Sequence, residues 1–406
     1  SQPVWFSIVI VGLTMALGTI PLLLTARLKR RLPLMLRGKT VVRDRPAASV
    51  ILPCKGLDQG FTENILALLR QDYPDLELLF VVATADDPAH DAIARLLAAE
   101  PRWRGLAKLL VAGLGDGRAQ KLTNQLAAIR QVRPQSRVLV FIDSDCRPDP
   151  GFVSRLVAPL GDAEVGATTG YRWYHPPTPT LGSMLRSTWN AGALPFLVDE
   201  QTTHAWGGAM AIRREVFERA GIAARWDKAV SDDLTLTLAV KGLGLRLQFV
   251  PSCIAVSYEA STLPATLEFT NRQSLISRVY LPPLWWGTAI GHAGANLLLA
   301  YGAVCGLLWI VRGGPAVAVG ALSLLLLPLQ MLNARWLFGS VLDLLPAPIR
   351  PQVRCLRWNY VVTAPVASAM TLINSLHSCS TRRMTWRGIT YELRSPSETL
   401  VIARSP

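Results

Sequence analysis

The sequence is poor in charge and in the residue patterns that mark several common kinds of catalytic site. Only 17% of its 406 residues are Asp, Glu, Lys or Arg, whereas 50% are hydrophobic. The six cysteines show no C-x-x-C pair or other metal-type spacing, and no G-x-G-x-x-G or Walker loop occurs. The five histidines are scattered. These absences argue against a thiolate metal site, a dinucleotide or P-loop mechanism, and a histidine-based nucleophilic triad.

Acidic residues are scarce at both ends of the chain. Residues 1–40 carry a net charge of +6, residues 41–278 a net charge of +1 and residues 279–406 a net charge of +7, for a total of +14. A nucleic-acid-binding central domain would concentrate basic residues in the middle, so we expect no nucleic-acid partner. Basic ends instead suit an anionic membrane surface, where each Lys or Arg contributes about 1 kcal/mol.

Long uncharged apolar runs occupy the same two ends. A bilayer span needs about 20 apolar residues, and four runs reach that length: 1–26, 279–311, 313–334 and 359–381. Basic residues follow the first run instead of preceding it. We therefore interpret that run as a membrane anchor and not as a signal peptide, with residue 27 onward on the cytoplasmic side.

These runs divide the chain into three predicted parts. We expect a transmembrane anchor with its basic flank over residues 1–36, a cytoplasmic catalytic domain over 37–278, and a membrane region with a basic tail over 279–406. The spans of the last part are expected near 286–311, 314–334 and 359–380.

The side of the C-terminus is ambiguous at this stage. Three spans after a cytoplasmic domain would place it outside, whereas Arg382, Arg383, Arg387 and Arg394 favour the inside. The short apolar stretch 336–349 could be a re-entrant or interfacial segment that restores the count. Both arrangements stay open.

Between residues 48 and 251, short apolar runs alternate with stretches of helical periodicity. We predict strands at 48–52, 76–82, 106–112 and 137–142, and helices at 62–70, 89–99 and 119–132. Such alternation is typical of a mainly parallel sheet covered by helices on both faces. Ligands bind such sheets beyond the carboxyl ends of the strands, so polar residues directly after strands are candidate site residues.

Carboxylates follow two of the predicted strands. Asp86 and Asp87 come after the second strand, and Asp143 and Asp145 directly follow the fourth. Hard oxygen ligands at the spacing of the second pair suit Mg²⁺ or Mn²⁺ bridging a diphosphate. The alternative is a turn or a helix cap, but the buried strand before them favours the metal site.

A second acidic pair opens a predicted helix at 234–241. Asp233 could act as a general base that takes a proton from an acceptor hydroxyl. The alternative is that Asp232 and Asp233 only stabilise the helix N-terminus, where acids are favoured by about 0.3–1 kcal/mol.

Two further segments could contact a ligand. Lys121 and Asn124 lie about one helical turn apart and can point the same way, and Lys121 is a plausible phosphate partner. Trp206 and two glycines, of which Gly208 is the second, precede a strand-like stretch at 209–212. Paired glycines permit close approach of a ligand, or simply a turn.

In their order along the chain, these segments resemble the membrane-anchored A-type glycosyltransferases of families 2 and 21, and most closely the ceramide glucosyltransferases. Each motif is weak by itself, whereas the ordered series covers nearly the whole chain. The matching residues are 55–58 with Asn64 and 72–74, then 86–89, Lys121 with Asn124, Asp143 with Ser144, 208–213, 231–233, and 386–388 with Tyr391.

The resemblance implies a fold and an activity. The fold would be an α/β A-type glycosyltransferase domain, Rossmann-like with a mainly parallel sheet, plus one N-terminal and about three C-terminal transmembrane helices. The activity would be inverting transfer of a sugar, glucose from UDP-glucose, to the hydroxyl of a membrane lipid such as ceramide. Diacylglycerol and hopanoid acceptors are alternatives. We expect this to occur at the cytoplasmic face of a bacterial inner membrane.

The resemblance also implies site roles. Asp233 would be the catalytic base, and Mg²⁺ or Mn²⁺ would bind Asp143 with help from Asp145. Together with the residues chosen above, the predicted substrate-binding set is Lys55, Asp87, Lys121, Asn124, Asp143, Trp206, Gly208, Asp232, Arg272 and Arg278.

One segment departs from the pattern of these families. They carry a (Q/R)-x-x-R-W motif before the membrane region, and here Arg272 matches its first position while Leu275 and Ile276 occupy the Arg-Trp positions. Arg278, about one turn beyond Leu275, could substitute for the missing arginine. The departure weakens the alternative of a processive polysaccharide synthase. It also motivates a different class of hypothesis, a non-catalytic membrane scaffold, which the three intact aspartates of the site oppose.

Overall fold

The strands of the central region form a single twisted layer. A computed structural model describes residues 4–37 and 45–404, so the first three residues of the predicted anchor and the link at 38–44 lie outside the described residues. The strands of this layer are β1 (Ala48–Pro53), β2 (Leu76–Val82), β3 (Ala107–Val111), β4 (Val138–Ile142), β5 (Val165–Tyr174), β6 (Ala209–Arg213) and β7 (Arg246–Ser257).

The strand order is β3-β2-β1-β4-β6-β5-β7. β1 pairs in parallel with β2 and β4, β2 with β3, and β5 with β7. β6 runs antiparallel to both of its neighbours, β4 and β5. The prediction of a mainly parallel sheet is therefore confirmed, and the carboxyl ends of β1, β2 and β4 meet at one edge.

Helices cover the sheet and continue into the membrane region. They are α1 (Val4–Arg37), α2 (Phe61–Leu69), α3 (Pro88–Ala99), α4 (Pro101–Arg104), α5 (Gln120–Ile129), α6 (Phe152–Val157), α7 (Leu181–Ala191), α8 (Leu194–Leu197), α9 (Arg214–Arg219), α10 (Ile222–Trp226), α11 (Asp232–Gly242), α12 (Leu263–Tyr280), α13 (Pro282–Arg312), α14 (Pro315–Ala321), α15 (Leu326–Val341), α16 (Arg350–Cys355) and α17 (Arg357–Ser380).

Alternate residues of each strand supply two separate cores. On β1, Ile51 packs in one cluster with residues of α5, α10 and α11. Val50 and Leu52 pack in the other with residues of α2, α3 and α6. Because successive side chains of a strand point to opposite faces, this division shows that both faces of the sheet are buried. The buried faces explain why the strands are nearly continuous apolar runs.

The four predicted strands are present, with ends that differ by at most one residue. The sequence reasoning missed β5 and β7, the two longest strands of the layer. β5 has glycine at 166 and 170 and threonine at 168 and 169, and β7 contains Pro251, so neither reads as an apolar run. Both are nonetheless largely buried, because the packing around them, and not their composition, excludes water.

Among the described residues, three helical segments are long and apolar enough to cross a membrane: Trp5–Leu36, Pro282–Arg312 and Pro315–Leu344. The third consists of α14, α15 and the 3₁₀ turns beside them. The third predicted C-terminal span, at 359–380, forms α17 but is not among these segments. Its buried face is polar, because Thr363, Ser368, Asn374, Ser375 and Ser378 lie on it.

The predicted apolar stretch 336–349 is not one structural unit. Its first part continues α15, and the rest forms two short 3₁₀ turns, Leu342–Leu344 and Ala347–Ile349. Leu345, between the two turns, and Ile349, in the second turn, are buried in a further core that also holds Trp173 of β5.

The N-terminal helix is joined both to the membrane helices and to the catalytic domain. Thr25 Oγ1 donates a hydrogen bond of 2.8 Å to Asn333 Oδ1 of α15. Leu28 and Leu32 are buried in the same core as Trp173, and Arg27 forms an ion pair with Asp199. The basic end of α1 therefore lies against the catalytic domain.

The last part of the chain forms a small sheet that the sequence reasoning did not predict. It is antiparallel, in the order β10-β9-β8, and consists of β8 (Arg383–Trp386), β9 (Ile389–Ser395) and β10 (Glu398–Arg404). Met384, Ile389 and Tyr391 are buried in the core that also contains Leu275 and Ile276 of α12. The tail therefore packs on the domain that contains the seven-stranded sheet. Two candidate spans, α13 and α14–α15, lie between that domain and the tail, and an even number of spans agrees with this contact.

We predict that the full-length protein stays in the membrane pellet after alkaline carbonate washing. Carbonate and high salt release proteins that are held only by charge, whereas apolar spans of this length keep the protein in the bilayer. Immunoblotting of pellet and supernatant measures the outcome. Release of most of the protein by carbonate would contradict the assignment of these helices as spans.

Candidate active site

Two carboxylates at the end of β4 are held by an arginine from β5. The Arg172 guanidinium lies 2.6 Å (Nη2) from Asp145 Oδ1 and 3.1 Å from Asp143 Oδ2, and its Nη1 donates to Asp145 Oδ2 at 2.8 Å. Arg172 is buried, and it lies 4.9 Å from the centre of the Trp206 ring. The predicted D-x-D turn thus contains a bidentate ion pair with a cation–π contact behind it.

A lysine joins this turn to the second acidic pair. Lys121 Nζ lies 2.8 Å from Asp143 Oδ1 and 2.9 Å from Asp232 Oδ2, and it donates to the Gly207 carbonyl at 3.2 Å. All three N–H bonds of the ammonium are therefore used. Asp232 also accepts a hydrogen bond of 2.8 Å from Gln125 Nε2, one turn further along α5.

Burial and charge act in opposite directions on these carboxyl groups. Burial raises the pKa values of Asp145 and Asp232. Burial acts in the same direction on Asp143, but the charges of Lys121 and Arg172 outweigh it and lower its pKa. Burial also opposes the charge of Lys121, but Asp143 and Asp232 outweigh that effect and raise the lysine pKa. Asp143 is therefore the member of the cluster held most firmly in its charged form.

Asp233 lies beside this cluster at the start of α11. Its Oδ2 accepts a hydrogen bond of 3.0 Å from the Gly207 amide, and its Oδ1 accepts one of 2.8 Å from the Leu234 amide and one from the Ser231 hydroxyl. These donors fix the carboxylate against the turn that contains Trp206, Gly207 and Gly208. The side chain is partly exposed, in contrast to the buried Asp232.

The two glycines of that turn are required by close contacts within the protein. A Cβ at position 207 would lie 2.6 Å from Asp232 Oδ1 and 2.9 Å from Lys121 Nζ. A Cβ at Gly208 would lie 2.2 Å from the Trp206 ring. The two glycines are therefore needed because side chains of the protein lie close to their backbone. The sequence had predicted a close approach by a ligand, or a turn, at these positions.

The loop after β1 forms the other rim of the site together with the C-terminal sheet. Arg387, in the turn between β8 and β9, lies 2.6 Å from Asp58 Oδ1 and donates to the Lys55 carbonyl at 2.6 Å. Lys55 Nζ donates in return to the Arg387 carbonyl. The other oxygen of Asp58 accepts a hydrogen bond of 2.7 Å from the hydroxyl of Ser144, the central residue of the D-x-D turn. Residues more than 300 positions apart are thus joined across the site.

Two of the predicted substrate-binding residues have structural partners. Asp87 caps α3 by accepting from the Ala89 amide, and it accepts from the Gly56 amide of the β1 loop, both at 2.9 Å. Asn124 is buried, donates to the Val81 carbonyl at 3.2 Å and accepts from Gln120 Nε2 at 2.8 Å. Asp87 therefore fixes the rim loop and Asn124 fixes α5. Their contacts with substrate stay predictions.

The two arginines of α12 have different surroundings. Arg272 lies over the rings of Phe269 (5.4 Å) and Trp386 (5.5 Å), and burial lowers its pKa to about 10. Within residues 4–37 and 45–404 it has no hydrogen-bond or ion-pair partner. Arg278 donates to the Thr381 carbonyl at 3.5 Å, at the base of the C-terminal sheet. These contacts do not test the prediction that Arg278 replaces the family arginine.

Sequence reasoning did not select Arg172, Gln125 or Asp58 as site residues, and it gave Arg387 no role. Arg172 had a detectable signal, since it is the one charged residue in the stretch 165–174. Asp58 and Arg387 lie in segments that match the families, but nothing in the sequence indicated that they pair, because the pairing depends on how the tail folds back over the domain.

The donor chemistry of the D-x-D turn suits a divalent cation. Mg²⁺ typically binds one or two carboxylates and takes its remaining ligands from substrate phosphates and water. Asp143 and Asp145 are such carboxylates. Both accept hydrogen bonds from cations, and Asp145 also accepts one of 3.5 Å from the Cys146 thiol. Within the described part of the chain, no group of three or more His, Cys, Asp or Glu side chains is arranged to hold a metal. The fit therefore rests on the two aspartates together with an incoming diphosphate.

Comparisons with known proteins agree with this architecture. Residues 8–399 match the profile of glycosyl transferase family 21. An N-acetylglucosaminyltransferase of Rhizobium meliloti is 26% identical over 306 residues, which are 66% of this chain and 67% of that protein. An N-acetylglucosaminyltransferase of Sinorhizobium fredii is 24% identical over 302 residues, 64% of this chain and 67% of that protein.

A solved structure shares the fold. It is a mannosyltransferase from Pyrobaculum calidifontis in complex with GDP-Man and Mn²⁺, with a TM-score of 0.51 and 19% identity, covering 92% of this chain and 98% of that chain. At this identity the likeness shows the fold alone. The predicted A-type glycosyltransferase fold is thereby confirmed.

We predict that Lys121→Gln destabilises the protein by about 3–5 kcal/mol, because it leaves two buried carboxylates without their shared cation. Lys121 lowers the pKa values of Asp143 and Asp232 against the effect of burial, so without it both pKa values rise, and that of Asp232 rises further above its unfolded value. A carboxyl group with a raised pKa costs stability as the pH rises, so the loss should be larger at pH 7.5 than at pH 5. Thermal unfolding in detergent at both pH values measures it.

Lys108→Gln is the matched control. Lys108 also pairs with a carboxylate, Glu77, at 2.9 Å, but its side chain is 53% exposed. We expect it to cost less than about 1 kcal/mol. Equal losses in the two variants, or a Lys121→Gln loss that does not depend on pH, would contradict the prediction.

Proposed function

Because the chain belongs to glycosyl transferase family 21, we propose that it is a glycosyltransferase that moves a sugar from a nucleotide donor to the hydroxyl of a membrane lipid. The first candidates are UDP-glucose as donor and ceramide as acceptor, with diacylglycerol and hopanoid polyols as alternatives. The reaction inverts the configuration at the anomeric carbon. We place it at the cytoplasmic face of a bacterial inner membrane, in accord with the positive charge that follows α1.

The observation that carries the proposal is the buried cluster in which Lys121 joins Asp143 to Asp232. It places the D-x-D turn, which follows β4 and has the candidate metal ligands, next to a second carboxylate pair at the start of α11. Two functions that must lie close together, holding the donor's leaving group and activating the acceptor, therefore have candidate residues on one rim of the sheet.

Asp233 is proposed as the general base. It is partly exposed, and the Gly207 and Leu234 amides and the Ser231 hydroxyl hold its carboxylate in place. In the reaction the acceptor oxygen forms a bond to the anomeric carbon from the face opposite the diphosphate. The bond between that carbon and the diphosphate oxygen breaks, the acceptor proton passes to Asp233, and the nucleoside diphosphate leaves with the electron pair.

Lys121 and Arg172 keep the D-x-D turn charged and fixed. Because their hydrogen bonds already orient both carboxylates, little reorganisation is needed when the donor arrives. Mg²⁺ or Mn²⁺, bound by Asp143 and Asp145 with donor phosphates, would neutralise charge that develops on the leaving diphosphate. Lys55, Asp87, Trp206 and Gly208 line the same rim and are proposed to contact the donor.

The acceptor is proposed to approach from the membrane side. α12 ends at Tyr280, and α13, one of the candidate spans, begins two residues later. Trp286 in the first turn of α13 is exposed, as is Leu263 at the start of α12. Exposed tryptophan at this position is typical of a membrane interface. A lipid hydroxyl could therefore reach the rim while its chains stay in the bilayer.

The direct test is transfer from labelled UDP-glucose and, in parallel, UDP-N-acetylglucosamine to ceramide, diacylglycerol or extracted bacterial lipid. The second donor is included because two curated relatives are named N-acetylglucosaminyltransferase. The full chain, purified in detergent and supplied with Mg²⁺ or Mn²⁺, should label one lipid class. No labelled lipid with any donor would overturn the proposal and favour a non-catalytic scaffold.

We predict that Asp233→Asn lowers the rate of transfer by about 10²–10⁴-fold, because an amide cannot accept the acceptor proton. Donor binding should change little, since Asp143 and Asp145 remain. Asp91→Asn, an exposed acid on α3, is the control and should keep full activity. Retention of wild-type turnover by Asp233→Asn would exclude this residue as the base.

We also predict that chelation of divalent cations abolishes transfer and that Mn²⁺ or Mg²⁺ restores it. UDP affinity measured with and without the metal should differ for the wild type, and Asp143→Ala should remove that difference. Equal UDP affinity in both conditions for the wild type would refute the metal assignment at this turn.

A further inference from the structure

We propose that Arg387, in the turn of the C-terminal sheet, is a ligand of the donor's diphosphate. The inference rests on the proposed function, because it assumes a nucleoside diphosphate sugar as donor. It concerns a residue far from the catalytic domain in sequence, on a sheet that follows the last helix.

The cations nearest the D-x-D turn are already committed to carboxylates. Lys121 uses its three N–H bonds on Asp143, Asp232 and the Gly207 carbonyl. Arg172 is buried and bridges Asp143 and Asp145. A diphosphate that arrives at this rim therefore needs another cation that still has free donors.

Arg387 is such a cation. Its side chain is 40% exposed, and its contacts with Asp58 and the Lys55 carbonyl use two of the five N–H bonds of the guanidinium. The remaining donors are available in a planar arrangement that matches phosphate oxygens.

Arg387 is also in the right place. Asp58 accepts from Arg387 through Oδ1 and from Ser144 through Oδ2, and Ser144 lies between the two carboxylates of the D-x-D turn. Two hydrogen bonds therefore separate the guanidinium from the predicted metal ligands. Lys55, another basic residue of this rim, is bonded to the same turn through its main chain and its ammonium.

The backbone at this position supports a role for the side chain. Among the described residues, Arg387 is the only non-glycine residue with a positive φ, at 48°. This conformation costs free energy for any residue with a Cβ, and the next residue, Gly388, shows that glycine is used in the same turn. An arginine held in a glycine-type conformation is accounted for if its guanidinium is needed.

The α12 positions that depart from the family motif and the turn with Arg387 belong to one packing arrangement. Leu275 and Ile276, which stand where the family has Arg-Trp, pack with Met384, Ile389 and Tyr391 of the C-terminal sheet. Tyr391 also accepts a hydrogen bond of 3.1 Å from the Gln120 amide, next to Lys121. An apolar pair on α12 thus provides the surface on which the sheet rests, and the sheet carries Arg387 to the rim.

The test compares binding of UDP and UMP to the full chain in detergent with Mn²⁺ present, by isothermal titration calorimetry. The two ligands differ only in the second phosphate. The wild type should bind UDP more tightly than UMP. Arg387→Gln should weaken UDP binding by about tenfold, the value of one charge-assisted contact, and leave UMP binding within about twofold.

Two further variants keep the test decisive. Arg387→Gly removes the side chain and suits the positive φ, so it should fold as the wild type does and lose UDP affinity to the same degree. Arg394→Gln, on β9 of the same sheet, removes an arginine that is 51% exposed and pairs with Glu392 and Glu398. It should leave both affinities unchanged.

Other outcomes would overturn the inference. Equal loss of UDP and UMP affinity in Arg387→Gln would indicate that Arg387 only pins the sheet through Asp58. Wild-type UDP affinity in Arg387→Gly would exclude a diphosphate contact. Failure of the wild type to bind UDP or GDP at all would instead refute the proposed function, and the inference with it.

Discussion

The arrangement of this site depends on one buried ammonium group shared by two aspartates. Lys121, at the start of α5, lies within 2.9 Å of Asp143, which ends β4, and of Asp232, which begins α11. Each carboxylate alone would be costly to bury, and so would the lysine, so all three are tolerable only together. This requirement fixes the distance between a strand end and a helix start that are almost 90 residues apart. It also requires glycine at 207, because a side chain there would enter the space of the ion pairs.

The second constraint is an apolar contact between α12 and the C-terminal sheet, outside the seven-stranded sheet. Leu275 and Ile276 of α12 share a core with Met384, Ile389 and Tyr391 of the C-terminal sheet. That contact brings a late segment of the chain onto the domain and places basic residues beside the D-x-D turn. Two positions that depart from the family motif in sequence therefore form a packing surface in three dimensions.

The candidate membrane helices also show that the composition of a segment does not by itself give its surroundings in the fold. α1 and the segments Pro282–Arg312 and Pro315–Leu344 are recognisable from hydropathy, and most of their surface is exposed in the protein. α17 was predicted as a span from its uncharged run, yet its buried face carries hydroxyl and amide side chains that bond to neighbouring helices, such as Asn374 to Thr270 at 3.2 Å. The polar groups of this face are hydrogen-bonded by other parts of the protein and not by lipid. The same polar residues lower the mean hydropathy of the helix. For a run of moderate polarity, hydropathy alone does not distinguish a helix surrounded by lipid from a helix packed against protein.

The sequence by itself determined the fold class, five strands of the sheet and the carboxylates of the candidate site. Those features depend on local pattern: buried parallel strands are apolar runs, and ligand residues follow strand ends. Only the tertiary structure decided which cations meet those carboxylates. Arg172 comes from a strand rich in glycine and threonine, and Arg387 comes from a sheet more than 240 residues beyond the D-x-D turn. Ion pairs form between side chains that packing brings within a few ångströms, and neither periodicity nor local spacing encodes such a distance between remote segments.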